Sequence, residues 1–154
     1  MKLLTESLVS LDVDVSNRWE VIKLLCSKMN GENLVKDSFL NSVIEREKEA
    51  PTGLPTEIGV AIPHTTGDHV LKTSIAVAQL KNPVNFQSME DPEKEIAVEL
   101  VFLLAIADPS NQILLLRSLI NIFRSKENLL KMKNARSKKD IVVLLDAVGK
   151  DLEE

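Results

Sequence analysis

Cysteine is almost absent from this sequence, and aromatic residues are scarce. One cysteine among 154 residues excludes a disulfide within the chain and suits a reducing compartment. Aromatic residues make up 3% of the chain and tyrosine is missing, so we expect no aromatic platform for stacking nucleic-acid bases. The hydrophobic core must instead be built mainly from leucine, isoleucine, valine and alanine.

The sequence also lacks an excess of positive charge and a long apolar run. The net charge of −4 argues against a nucleic-acid-binding protein, although a basic cluster lies between residues 131 and 139. The longest apolar run, from Leu100 to Ala107, is far shorter than the roughly 20 residues of a membrane span. The first residues lack the apolar core of a signal peptide. These features predict a cytoplasmic protein without direct membrane insertion.

Strand and helix patterns alternate along the chain. Residues 9–15 and 73–80 show the alternation of strands, and Leu100–Ala107 is typical of a strand buried on both faces. Helical spacing of apolar residues follows near residue 17, where Asn17 and Glu20 resemble a capping box, and again near residue 37 and beyond residue 108. The alternation predicts a single α/β domain with a mixed sheet.

Two prolines indicate where a strand ends and where a helix begins. Asn82-Pro83 is expected to end the strand that begins near residue 73, because proline has no N–H to donate to a sheet. Asp108-Pro109 is expected to start a helix, with Asp108 as the N-cap. That helix is apolar around much of its girth as far as about Phe123, so we expect it to be well buried.

The stretch Gly59–Thr65 contains one of only two histidines in the chain. Val60 and Ile62 alternate with small residues as in a buried strand, and Pro63 is expected to end it. His64 is then the first side chain beyond the carboxyl end of a strand, where α/β folds usually bind ligands. This position predicts a functional histidine.

His64 is compatible with three kinds of chemistry, which its surroundings distinguish. A metal site with Asp68 and His69 has no recognisable ligand spacing, and no Gly-x-Ser-x-Gly elbow indicates a hydrolase. A phosphorylated nucleophile needs a neutral imidazole and a cation beside it, which Arg46 and the loop at residues 51–55 could supply. It requires neither a metal nor a cofactor. A histidine that only completes a strand, in a non-catalytic binding module, remains the alternative.

The segment from Arg46 to His64 resembles the active-site region of enzyme IIA domains of the sugar phosphotransferase system, in the fructose/mannitol superfamily. Its matching blocks are Arg46-Glu47, Pro51-Thr52-Gly53-Leu54 and Val60-Ala61-Ile62-Pro63-His64. Within that superfamily the chain is most similar to the galactitol type, on the grounds of His69, the stretch Asn82–Phe86 and the helix start from Gln112 to Arg117. The mannitol type has a second histidine where this chain has Gln112.

The resemblance implies one enzyme IIA domain over residues 1–154: a sandwich whose central mixed sheet is flanked by helices on both faces. It implies that His64 accepts a phosphoryl group from the histidine-containing phosphocarrier protein. His64 would pass it to a cysteine of a cognate enzyme IIB, which serves a membrane enzyme IIC. Arg46 would stabilise the phosphoryl group, and Thr52, Gln112 and His69 are candidates for phosphoryl or partner binding.

The phosphocarrier protein and enzyme IIB must bind next to the same histidine, one after the other. This implies an apolar rim around His64, for which Ile62, Leu54 and Val70 are the candidates. The resemblance leaves two roles open. The domain serves the uptake of galactitol or a related polyol or sugar, or it is a regulatory enzyme IIA of the nitrogen type without a transport role. The sequence does not identify the sugar, because this domain does not touch it.

Overall fold

Strands and helices alternate along the polypeptide. The computed structural model describes residues 3–151, including the side chains of residues 3–146. The described part contains five strands and five α-helices. In chain order they are β1 (Val9–Val13), α1 (Arg18–Gly31), α2 (Phe39–Glu49), β2 (Gly53–Leu54), β3 (Gly59–Ala61), β4 (Ser74–Gln87), β5 (Glu95–Ala105), α3 (Pro109–Phe123), α4 (Lys126–Lys133) and α5 (Lys138–Asp151).

Side-chain caps start α1 and α3 at the predicted places. The Asn17 side chain accepts a hydrogen bond from the Glu20 N–H at 3.0 Å, and the Glu20 carboxylate accepts one from the Ser16 N–H at 3.3 Å. At the start of α3, the Asp108 carboxylate accepts from the Ser110 N–H at 3.0 Å. These bonds satisfy N–H groups that have no partner within the helix. The predicted capping box and the predicted Asp108 cap are both confirmed.

The five strands form one mixed sheet in the order β1-β4-β5-β3-β2. β1 pairs with β4, and β3 with β5, in parallel, whereas the β4–β5 and β2–β3 pairs are antiparallel. The central strands β4 and β5 are buried over residues 74–80 and 100–105. The predicted mixed sheet is therefore confirmed.

Helices cover both faces of this sheet. On one face the Phe102 ring of β5 packs against Phe123 of α3, with centroids 4.8 Å apart. On the same face the Gln79 side-chain amide donates to the Met132 carbonyl at the end of α4. α1 packs against α2 and against β4 and β5 as a separate group. Because neighbouring residues of β4 point to opposite faces and are all buried, this second group covers the other face, as the predicted sandwich requires.

One predicted boundary is wrong, since β4 continues through Asn82-Pro83. The β4–β5 register shifts between Gln79 and Val84, so the proline lies in an irregular part of the ladder. β1 pairs with β4 only as far as Leu80, which leaves this part of β4 at an edge of the sheet. A missing N–H at an edge costs no hydrogen bond, so proline does not end the strand.

The expectation that α3 is well buried is also wrong. Only Leu115, Leu119 and Phe123 of this helix are buried. Ile113 is 67% exposed and Leu114 is 42% exposed. A helix on the outside of a sandwich buries one stripe only, so apolar residues beyond that stripe face solvent.

Candidate functional site

His64 lies three residues after Ala61, the last residue of β3, at the carboxyl end of that strand, which ends before Pro63. The Pro63 carbonyl accepts a hydrogen bond from the Leu104 N–H at 3.0 Å, and His64 itself pairs with Leu104 in a single parallel bridge. The neighbouring central strand β5 therefore holds the backbone on which the imidazole stands. His64 is half-buried, as expected for a reactive side chain at the edge of a sheet.

The His64 ring has one nitrogen engaged with the backbone. Nδ1 lies 2.7 Å from the Ile62 carbonyl oxygen. A carbonyl can only accept, so Nδ1 carries the proton and Nε2 carries the lone pair in the neutral ring. Burial lowers the pKa of His64 below its ordinary value, the bond to Ile62 opposes this, and the positive charge of Arg46 adds to the lowering. The imidazole is thus neutral near pH 7, with Nε2 as its nucleophilic atom.

Arg46 lies in the last turn of α2 and is exposed. Its positive charge is one of the causes that lower the pKa of His64, which agrees with a position near the ring. The predicted role of Arg46 beside a neutral histidine stays a prediction. A guanidinium in this place can neutralise and orient an anionic group bound to His64.

Two serines at the start of α2 form hydrogen bonds with the loop that follows His64 in the sequence. The Ser42 hydroxyl hydrogen bonds with that of Thr65, with the oxygens 2.5 Å apart. One turn earlier, the hydroxyl of the N-cap residue Ser38 lies 2.7 Å from Nδ1 of His69. With Arg46 one turn later, these side chains form a polar stripe at intervals of four residues along α2. The stripe was missed from the sequence, although its spacing was visible there.

His69, predicted as a partner-binding or phosphoryl-binding residue, is attached to the start of α2. Besides the Ser38 contact, its carbonyl accepts from the Lys36 N–H at 2.9 Å. Among the described side chains, residues 3–146, no hydrogen bond joins the imidazole of His69 to that of His64. Its predicted part in phosphoryl transfer stays a prediction.

Thr52 is turned into the protein, being only 2% exposed. Its hydroxyl donates to Glu47 Oε1 at 2.8 Å and accepts from the Ile62 N–H at 3.2 Å. Its own N–H donates to Glu47 Oε2 at 2.8 Å. The prediction that Thr52 contacts the phosphoryl group finds no support in this geometry, because the hydroxyl is buried and already bonded.

Glu47, the last member of this group, is a buried carboxyl with 2% exposure. Burial raises its pKa to about 7, against the opposing effects of the two Thr52 hydrogen bonds and of the positive charge of Arg18. In the sequence Glu47 stands within the charged run Glu45–Glu49. Its alternation with exposed Arg46 and Lys48 gave no sign of burial, which depends on the pairing with Thr52.

The start of α3 borders the same edge of the sheet. Gly67 in the loop after His64 packs so closely on the Ala107 carbonyl that a Cβ there would overlap it. Gln112 is half-buried in the first turns of α3, and no described contact links it to His64, so its predicted role also stays a prediction.

The apolar surface at this edge differs from the predicted rim. Ile62 and Val70 are buried and Leu54 is half-buried, because these residues belong to the core and its margin. Exposed apolar residues include Leu71, which directly follows Val70, and Ile113 and Leu114 in the first turns of α3. The rim prediction is therefore wrong for Ile62 and Val70.

A metal site and a membrane-spanning helix each have requirements that the described residues do not meet. Among the side chains described, no group of three or more His, Cys, Asp or Glu residues lies close enough to hold a metal. None of the described helices combines the length and the apolar character needed to cross a bilayer.

Comparisons with known proteins agree with this geometry. Residues 2–148 match the family model described as "Phosphoenolpyruvate-dependent sugar phosphotransferase system, EIIA 2". A curated relative, the "PTS system galactitol-specific EIIA component" of Escherichia coli strain K12, is 32% identical over 117 residues, covering 75% of this chain and 77% of its own.

Two solved structures share the fold. One is the complex of enzyme IIAMTL and phosphorylated enzyme IIBMTL from Escherichia coli, with a TM-score of 0.75 and 23% identity over 94% of this chain and 97% of that one. The other is nitrogen regulatory protein IIA-Ntr from Neisseria meningitidis, with a TM-score of 0.75 and 22% identity over 93% of this chain and 96% of that one. At these identities the likeness concerns the fold alone.

Proposed function

Because the chain belongs to the EIIA 2 family of the phosphoenolpyruvate-dependent sugar phosphotransferase system, we propose that His64 is its phosphorylated residue. The chain is a phosphotransferase component of that system. The observation that carries the proposal is the His64 ring itself, whose Nδ1 is bound to the Ile62 carbonyl and whose Nε2 is left as the nucleophile. Residues 1–154 act as one such domain in the cytoplasm.

The first transfer brings the phosphoryl group onto His64. Nε2 attacks the phosphorus of the phosphohistidine on the histidine-containing phosphocarrier protein, and the P–N bond to the donor imidazole breaks as the new P–N bond forms. The donor ring keeps the electron pair of the broken bond. Since His64 enters as a neutral ring with a proton on Nδ1, the phosphorylated ring shares that proton with the Ile62 carbonyl throughout.

The second transfer removes the group. A cysteine thiolate of the cognate enzyme IIB attacks phosphorus, and the P–N bond at His64 breaks with its electron pair returning to Nε2. Arg46 stabilises the charge on the phosphoryl oxygens in both steps, which its electrostatic effect on the pKa of His64 supports. We further propose that Gln112 and His69 serve as hydrogen-bonding residues for phosphoryl oxygens or for a partner.

The docking surface for both partners includes the exposed start of α3. Ile113 and Leu114 present apolar surface beside the segment that packs on the loop after His64. The two partners must reach one imidazole in turn, which favours a small and transient interface. The enzyme IIB acceptor belongs to a membrane enzyme IIC complex.

The substrate system is proposed to be that of galactitol or a related polyol or sugar. The 32% identity with a galactitol-specific component over 75% of the chain supports this. A regulatory role is the alternative outcome. It would appear as normal phosphorylation of His64 without onward transfer to the enzyme IIB of any polyol system.

The test uses the two histidines as a matched pair. Purified wild-type chain, His64→Gln and His69→Gln are incubated with labelled phosphoenolpyruvate, enzyme I and the phosphocarrier protein. His64→Gln should accept no label, and His69→Gln should accept label as the wild type does or more slowly. Label on a folded His64→Gln variant would refute His64 as the acceptor.

A further inference from the structure

A continuous chain of hydrogen bonds leads from His64 into the protein and ends at a buried carboxyl. Nδ1 of His64 donates to the Ile62 carbonyl at 2.7 Å, and the Ile62 N–H donates to the Thr52 hydroxyl at 3.2 Å. Thr52 then donates twice to Glu47, from its hydroxyl and from its N–H, at 2.8 Å each. We call the pair of residues at the inner end, Glu47 and Thr52, the clamp.

The Thr52 side chain of the clamp extends the β2–β3 pairing by one further hydrogen bond. Gly53 opposes Ala61 as the last backbone pair of that ladder. One residue further, the Thr52 hydroxyl takes the place of a backbone acceptor for the Ile62 N–H. The Ile62 backbone is therefore held on its amide side by Thr52, while its carbonyl side is limited to extended conformations by Pro63. The direction of the Ile62 carbonyl, which sets the His64 ring, depends on both restraints.

Glu47 orients the clamp at an energetic cost. A carboxyl that is 2% exposed loses most of its hydration, and only paired or strongly bonded carboxyls remain in such places. Both carboxyl oxygens accept from Thr52, which fixes the threonine side chain in one orientation. Glu47 also follows Arg46 directly on α2, so the same contact ties the helix that carries the guanidinium to the strand that carries His64.

We propose that Glu47 is a positioning residue of the transfer site: through Thr52 and the Ile62 backbone it keeps His64 in the tautomer with a proton on Nδ1 and a lone pair on Nε2. The expected effect of Glu47 on the rate of phosphoryl transfer rests on the proposed function. Its expected effect on the tautomer of the His64 ring does not. The charged groups that act on the two ends are Arg18 of α1 on Glu47 and Arg46 of α2 on His64. Neither arginine changes its charge near neutral pH.

The experiment reads the ring directly, by ¹⁵N NMR of the imidazole nitrogens in ¹⁵N-histidine-labelled full-length chain. The chain has only two histidines, so His69 serves as an internal reference in each spectrum. The variants are Thr52→Val, which removes the hydroxyl at similar volume, Thr52→Ser, which keeps it, and Glu47→Gln. Thr73→Val is the matched control, because Thr73 is also buried and its hydroxyl also accepts a backbone N–H, that of Ala107 at 3.0 Å.

At a pH well above the pKa of Glu47, where its carboxyl is ionised, wild type and Thr52→Ser should show His64 in the single tautomer with a protonated Nδ1. In Thr52→Val and Glu47→Gln, part of the His64 population should adopt the other tautomer, with the proton on Nε2. Both variants should accept the phosphoryl group about tenfold more slowly, which is the effect of losing one net hydrogen bond. Thr73→Val should lower stability without changing the His64 shifts. If Thr52→Val and Glu47→Gln keep the wild-type ring shifts, or if Thr73→Val alters them equally, the positioning role is refuted.

A titration of the wild type keeps the test decisive if Thr52→Val does not fold. The carboxyl of Glu47 titrates near pH 7, so the His64 ring shifts should respond there as well as at the lower pKa of the ring itself. Ring shifts that follow only the lower pKa would refute the coupling. If the wild type accepts no phosphoryl group, the proposed function fails, while the ring shifts still decide whether the clamp sets the tautomer.

Discussion

Replacing Glu47 by glutamine should change how the stability of the protein depends on pH. Burial raises the pKa of Glu47 from 4.5 to about 7 in the folded chain. The folded state therefore binds this proton more tightly than the unfolded state does. The stabilising contribution of the protonated carboxyl is complete below pH 4.5 and is lost as the pH rises through the folded value of about 7.

The size of the effect follows from the two pKa values. Between about pH 5 and about pH 8, linkage predicts that the wild type loses about 2.5 kcal/mol relative to Glu47→Gln, since one pKa unit corresponds to about 1.4 kcal/mol. Any constant cost of the glutamine cancels in this comparison. The opposite contribution of His64, whose pKa is lowered, is common to both proteins and cancels as well.

Urea unfolding at several pH values measures this difference. The single tryptophan, Trp19, is half-buried on α1 and provides a fluorescence signal for unfolding. Plotted against pH, the difference in unfolding free energy between Glu47→Gln and wild type should rise between pH 5 and 8 by about 2.5 kcal/mol. A difference that stays constant over this range would show that Glu47 is not a carboxyl whose pKa is raised by burial.

Three further predictions concern transfer. Arg46→Ala should slow phosphoryl acceptance about tenfold or more, and Lys48→Ala, two residues along α2, should not; equal rates for both variants would remove Arg46 from the site. Ile113→Ser should weaken transfer to enzyme IIB, whereas Val143→Ser, at an equally exposed position of α5, should leave it unchanged; equal effects would argue against docking on α3. In Glu47→Gln, which has no carboxyl to titrate near pH 7, the acceptance rate should fall only below pH 6.5 as the His64 ring becomes protonated, and a fall centred above that value would contradict the lowered pKa.

Local signals in the sequence predicted much of the frame of the site. A short apolar strand followed by Pro63 indicates that His64 stands beyond its end, and the bridge with Leu104 puts it at the carboxyl edge of the sheet. The caps at Asn17 and Asp108 start helices through bonds between near neighbours. Features of this kind depend on a few consecutive residues, and they can be predicted without the tertiary structure.

Features that depend on distant pairing could not be predicted in this way. Pro83 is tolerated within β4 because β1 stops short of it, which only the sheet order reveals. Glu47 stands among charged residues and Thr52 in a turn-forming segment, so nothing local predicts that both are buried and bonded to each other. The apolar girth of α3 predicts burial equally well for a core helix and for an outer helix with a docking surface.

The central claim is that Nε2 of His64 carries the phosphoryl group, and ³¹P and ¹⁵N NMR of the phosphorylated chain test it most directly. After incubation with phosphoenolpyruvate, enzyme I and the phosphocarrier protein, one acid-labile phosphohistidine should form, with the phosphorus bonded to Nε2 of His64. Nδ1 should keep its proton and its bond to Ile62. A phosphoryl group on Nδ1, on His69 or on no histidine, with the donor proteins shown to be active, would contradict the claim.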